Sequence, residues 1–250
     1  MRLVLLTALG VGGATVFGAL LGFAFRRISH RFSDIVLALA AGVMLAAAVI
    51  GLVLPSVEIG SSIPVTAIGI FFGALCLNLL DKLVPHLHRI AGADQESHPA
   101  DTQRLNKVLL FVMAIAIHNL PEGIAAGVGF GTGNDGEALT IAAGIALQNI
   151  PEGMVIIAPM LAAGMSRTRT FVIAALTGVV EVAGTLLGFF AVSLSGAILP
   201  FALAFAGGTM LYVISDEMIP ETHAHGSEQG ATYALLAGFC LMLAMSHYLG

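Results

Sequence analysis

Eight long apolar runs divide this chain, near residues 3 to 25, 35 to 56, 63 to 84, 108 to 130, 139 to 163, 170 to 193, 197 to 215 and 230 to 249. Each is close to the roughly 20 residues that a helix needs to cross a hydrocarbon core of about 30 Å. The runs are continuously apolar rather than alternating, which argues against barrel strands and for helices. The pattern predicts an all-α membrane protein with eight transmembrane helices, forming one transmembrane domain over residues 1–250. The first run, at about 23 residues, exceeds a typical signal-peptide core and lacks a convincing cleavage site, so it reads as a retained helix.

Polar breaks are short on one side of this arrangement: Leu54 to Ser62, Gly131 to Gly136, and a turn around Ser195. The larger polar segments fall on the other side: the histidine-bearing loop 85–106, "PHLHRIAGADQESHPADTQRLN", and the turn from Asp216 to Gln229. Lys and Arg set the orientation. With the N-terminus outside, Arg26, Arg27, Arg31, Lys82, Arg89, Arg104, Lys107, Arg167 and Arg169 all lie inside and only Arg2 outside. Both termini are therefore expected outside the cytoplasm, with the protein in the cytoplasmic membrane of the cell.

Composition reinforces this reading. The chain is 58% hydrophobic and only 10% charged, with a mean hydropathy of +0.97, whereas soluble domains carry about a quarter charged residues. A net charge of -5 without a polybasic run gives no reason to expect nucleic acid as a partner. Cys76 and Cys240 both fall within apolar runs, where buried thiols rather than a disulfide framework are expected.

Against this apolar background two segments nearly repeat: "HNLPEG" at His118 to Gly123 and "QNIPEG" at Gln148 to Gly153. His118 and Glu122 are four residues apart, as are Gln148 and Glu152, so each pair shares one helix face. Pro121 and Pro151 each remove an N–H and displace the carbonyl four residues back, on Ile117 and Leu147; a backbone oxygen is then expected to turn toward a cavity. Gly123 and Gly153 permit a neighbouring helix to approach at the same level.

A third carboxylate, Glu181, lies in the sixth run, and no Lys or Arg falls in the runs holding these three glutamates. A charge at such depth costs on the order of 2.5–3.5 kcal/mol on insertion scales, so something must offset it. Glu122 is 15 residues from Lys107, Glu152 is 15 from Arg167 and Glu181 is 12 from Arg169, which places all three roughly 18 to 22 Å in at 1.5 Å per residue. They are expected to meet at one level. With Asn119 and Asn149 the set offers imidazole nitrogen, carboxylate oxygen and amide oxygen without thiolate. Such a set suits Zn²⁺ or Fe²⁺, with Mn²⁺ and Cd²⁺ also accommodated, and does not favour Cu⁺. Seven candidate ligands exceed one tetrahedral shell. Either two ions share the site, bridged by Glu122 and Glu152, or one ion moves between overlapping positions.

These motifs resemble the ZIP family of divalent-metal transporters (Zrt-, Irt-like proteins), and within it the prokaryotic GufA-like branch. The resemblance covers essentially the whole chain and implies a ZIP-type bundle with a two-metal site between helices four, five and six, homodimers in several members, and alternating access of an elevator-like kind. Carried over, it implies that His118, Glu122, Gln148 and Glu152 surround one metal, while Asn119, Asn149, Glu181 and the shared glutamates surround the second. Gln148 stands where many members have His, and Asn149 where some have Asp. The resemblance also implies an inner release or sensing site drawing on His86, His88 and Glu217. Asp81, Asp216, Glu221, His223 and His225 gather at the same inner ends, whereas His30 and His98 read as loop residues.

The reading that follows is a secondary transporter importing a divalent metal, foremost Zn²⁺, and not an enzyme; the metal is cargo and no cofactor is expected. Two rivals remain at this level. An intramembrane zinc hydrolase needs an open coordination position and usually two or more histidine ligands, but the cluster has one histidine and no H-E-x-x-H. A passive metal-selective channel shares every residue with the carrier and differs only in whether flux saturates.

Overall fold

Ser29, Asn134 and Ser166 each precede an apolar run, and each becomes a helix N-cap. Ser29 accepts from the Phe32 N–H at 3.3 Å, Asn134 from Gly136 and Glu137 at 3.0 and 3.3 Å, and Ser166 from Arg169 at 3.3 Å. The computed structural model describes residues 1–25, 29–60, 62–90 and 100–250, without the side chains of 81, 83–90, 100–111 and 114. Within them run eight helices: α1 (Arg2–Ala24), α2 (His30–Gly60), α3 (Ile63–Ile90), α4 (Ala100–Gly129), α5 (Asp135–Ala162), α6 (Arg167–Leu194), α7 (Gly196–Thr222) and α8 (Glu228–Leu249). Seven of them are long and apolar enough to cross a membrane on the described residues, and α4 carries the remaining apolar run. The protein is an all-α membrane bundle.

Three expected loops are shorter than the polarity pattern suggested. Helix α2 continues through Pro55 to Gly60, α7 continues through Pro220 to Thr222, and the segment 85–106 is helical up to Ile90 and again from Ala100. The physical reason is visible at the prolines. Pro55 and Pro220 cannot donate to the carbonyls of Gly51 and Asp216, and both carbonyls lie in π-helical stretches, Ala47–Val53 and Ile214–Met218. A wider turn absorbs the missing bond and the ring, so the helix goes on instead of ending. Pro121 and Pro151 are likewise held inside α4 and α5.

Glycine sets which helices pair. A methyl at Gly123 would sit 2.2 Å from the Glu181 carbonyl oxygen, and one at Gly153 equally close, at 2.2 Å, to that of Thr15. Close backbone approach of this kind is how helices associate where lipid supplies no hydrophobic drive. The same device joins α2 to α8 at Gly42 and Gly238, and α3 to α7 at Gly73 and Gly208. The strongest pairings are α4 with α6, α1 with α5, α2 with α8, α3 with α7, and α1 with α6. Exchanging α1–α3 for α6–α8 and α4 for α5 reproduces all five. Since the exchanged helices run in opposite directions, the bundle is an inverted repeat. The two PEG motifs, on α4 and α5, and the two π-helical stretches, on α2 and α7, are its corresponding parts.

The helices thus sort into two groups, α1, α4, α5 and α6 against α2, α3, α7 and α8. Between them lies a core that includes Val43, Met44, Leu52, Ile145, Leu203 and Met210. Large apolar residues recur every three or four positions on outer faces, for example Ile68, Phe71, Leu75 and Leu79 on α3, as lipid-facing surfaces require.

Candidate metal site

Between the two groups a cavity of about 660 Å³ reaches inward, lined at depth by His118, Glu122 and Glu152 and nearer its mouth by Asp216, Glu221 and His225. The i, i+4 spacing brings His118 and Glu122 to one wall of the cavity. Gln148 Nε2 donates to Glu122 Oε1 at 2.9 Å, joining α4 to α5. Glu122 Oε2 and Gln148 Oε1, both buried, have no hydrogen-bond partner. Buried acceptors without donors are costly in a protein interior, and a bound cation is one species that satisfies them.

Glu217, carried by the π-helical stretch of α7, enters the same place. Its Oε1 lies 2.7 Å from His118 Nε2. The contact is attractive only with a proton between the two atoms, so a metal on this nitrogen must displace that proton and loosen Glu217. This residue, expected with the inner release set, sits directly on the one histidine of the paired motifs.

A second constellation lies behind the first. Glu181 is fully buried and takes three donors: Thr15 Oγ1 at 2.6 Å and the Asn119 amide on Oε1, and the Asn149 amide at 2.5 Å on Oε2. Asn149 also donates to the Val11 carbonyl at 3.3 Å. The Asn119 and Asn149 amide oxygens are left without hydrogen-bond partners. Gly123 and Gly153 explain the convergence: one admits the α6 backbone at Glu181, the other the α1 backbone at Thr15. All seven residues expected at mid-membrane therefore lie in these two neighbouring constellations. Among the described residues, no group of three or more His, Cys, Asp or Glu side chains is poised to hold a metal ion; carboxylate, imidazole and amide groups are distributed over α4, α5, α6 and α7.

Thr15 was not legible as a site residue. Its signal was weak: α1 buries a stripe of small residues, Gly12, Thr15, Gly18, Ala19 and Gly22, which reads as helix packing. Asp34 was also missed. It is 2% exposed, its Oδ1 lies 3.0 Å from His225 Nδ1, and the His225 ring stacks on His30 at 4.9 Å. His30 is thus no loop residue: it opens α2 behind the Ser29 cap and lines the cavity mouth. His223 turns toward the Ile219 carbonyl and Thr232 instead. The side chains of Asp81, His86 and His88, and all of His98, lie outside the described residues.

The sequence matches the family model described as ZIP Zinc transporter over residues 88–246. It is 41% identical to the zinc transporter GufA of Myxococcus xanthus, with 98% of each chain covered. It is 38% identical to the zinc transporter ZIPB of Bordetella bronchiseptica over 95% of this chain and 78% of that one. The zinc transporter ZupT of Chlorobaculum parvum is 34% identical over 92% and 91%.

Proposed function

Since the chain belongs to the ZIP Zinc transporter family, we propose that it carries a divalent transition metal, foremost Zn²⁺, across the cytoplasmic membrane into the cell through the constellation of His118, Glu122, Gln148 and Glu152. The observation that carries this reading is the pair of unpartnered oxygens, Glu122 Oε2 and Gln148 Oε1, beside a carboxylate and an imidazole at the deep end of a cavity. One imidazole, two carboxylates and an amide supply the borderline donor set that Zn²⁺ accepts. Fe²⁺, Mn²⁺ and Cd²⁺ fit the same donors less selectively.

The cavity mouth gathers the ends of α2, α5 and α7 that carry His30, Pro159 and Glu221, and the turn after α7 that carries His225, the side to which the Lys and Arg bias assigns the cytoplasm. The opposite ends of α2, α3 and α7 are tied by Ser56, which bonds Thr66 at 2.8 Å and donates to the Pro200 carbonyl at 2.7 Å. The described state is then open inward and closed outward. An incoming ion exchanges water for Glu122, Glu152 and His118, and leaves past Glu217, Asp216 and Glu221 after the two helix groups have shifted. Carboxylate and imidazole bind metal only without their protons, so uptake falls as the pH is lowered. The reading includes, from the resemblance alone, a homodimer, which a mass measurement in detergent checks.

Proteoliposomes test the proposal. Saturable Zn²⁺ uptake by the wild type, lost in Glu122→Ala protein that still elutes as a folded species, is the expected result. Unsaturated flux would instead identify a channel. No flux above empty liposomes for Zn²⁺, Fe²⁺, Mn²⁺ or Cd²⁺ would sink the transport reading.

A further inference from the structure

The family resemblance implies two metal positions, yet the donors around Glu181 are turned the wrong way for the second. Two oxygen ligands of one ion, each at about 2.0–2.2 Å from it, stand about 3.0–3.5 Å apart. Asn149 Nδ2 and Glu181 Oε2 are 2.5 Å apart, and Asn119 Nδ2 likewise donates to Oε1. No ion fits between groups in hydrogen-bonding contact. The groups facing the carboxylate are moreover donors: two amide N–H groups and one hydroxyl. Reversing either amide would set a carbonyl oxygen against a carboxylate oxygen, a repulsive contact.

Both oxygens of Glu181 are therefore occupied, and the residue is held on three sides by separate helices: α1 through Thr15, α4 through Asn119 and α5 through Asn149. Nor does Glu181 line the cavity, unlike Glu122 and Glu152. With Glu181 engaged, what remains for a second ion is the two neutral amide oxygens of Asn119 and Asn149 and two carboxylates, Glu122 and Glu152, already engaged by the first ion. Such a set does not repay the dehydration of a divalent cation. Where some family members have Asp, Asn149 supplies the N–H that the carboxylate needs, so the departure from the family pattern and the hydrogen-bond geometry have one explanation.

We propose that Glu181 is an anchor and not a ligand, that this chain accordingly binds one divalent ion per protomer, and that Thr15 is the positioning residue that fixes the anchor. The inference rests on the transport site of His118, Glu122 and Glu152 proposed above. Its role is mechanical. Glu181 ties α1, α4, α5 and α6 into one unit at the level of the ion, so that the ligands on α4 and α5 keep their spacing while that unit moves.

Equilibrium dialysis of purified protein in detergent against Zn²⁺ alone counts the ions. Wild type is expected to hold one ion per chain, Glu122→Gln none, and Glu181→Gln one. In Asn149→Asp an acid faces Glu181 in place of the amide donor, and the count is expected to rise to two. In uptake assays Thr15→Val keeps KM within about twofold while lowering Vmax by about tenfold, the size expected for losing a buried hydrogen bond to a charged group; Thr15→Ser restores it. With uptake normalised to folded protein, a purely structural role for Thr15 would leave both Vmax and KM unchanged. Two ions in the wild type, one of them removed by Glu181→Gln, would overturn this inference and leave the transport site intact. No bound ion, or one that survives Glu122→Gln, would overturn the transport site and this inference with it.

Discussion

His118 and Gln148 hold equivalent places in the two copies of one motif, yet their surroundings differ. His118 faces Glu217 of the opposite helix group at 2.7 Å across the cavity. Gln148 is fully buried and donates to Glu122 inside its own group. One copy reaches across to the opposite helix group, the other binds a neighbour within its own. The same division separates the two carboxylate constellations: Glu122 and Glu152 border the cavity, whereas Glu181 is sealed behind three neutral donors. An inverted repeat supplies two similar motifs, and the protein uses them for different work because their neighbours on α1 and α7 differ.

Removing a charge from the cavity side breaks this comparison most severely. Glu152→Ala is expected to lower Zn²⁺ uptake by about 100-fold or more, the loss of a charged ligand at a buried site, with a normal elution profile in detergent. Uptake near the wild-type rate would mean that the cavity carboxylates are not the pathway. Nearly as large is the effect of thickening the joint behind them. Gly153→Ala places a methyl 2.2 Å from the Thr15 carbonyl oxygen, and the forced separation of α1 from α5 should cost about 3 kcal/mol. A thermal melt in detergent would show it, and an unchanged midpoint would contradict the close backbone contact.

Gln148→His makes the two copies alike. Imidazole is the better ligand for Zn²⁺, so apparent affinity should rise by about tenfold, or about 1.4 kcal/mol, in a dialysis titration; weaker binding would show that the Gln148 amide serves only Glu122. Smallest is the effect of Glu217→Gln. It removes the charge facing His118 across the gap, and Zn²⁺ uptake should change by only about threefold, within the roughly 1 kcal/mol of a partly exposed ion pair. A complete loss would instead make Glu217 a required ligand of the transported ion.

Helix count, approximate spans and the grouping of the motif residues were legible in the sequence because each rests on local information. Apolar length sets a span, a four-residue spacing sets a shared face, and counting from the last Lys or Arg sets a depth. Helix ends at Pro55 and Pro220 were not, since a proline reads as a stop unless the chain widens into a π-helical turn, and packing decides that. His30 and Asp34 escaped for a related reason: their significance depends on His225, nearly 200 residues away.

What the sequence by itself supplied is the expectation that carboxylates, amides and one imidazole lie together inside a membrane, because mutual contact offsets the cost of burying them. Tertiary structure alone decided which of them face a cavity and which face one another. Glycine contacts bring Thr15 and Glu181 to the motifs, and whether a carboxylate meets an ion or a set of N–H and O–H donors depends on atoms contributed by four helices far apart in the chain.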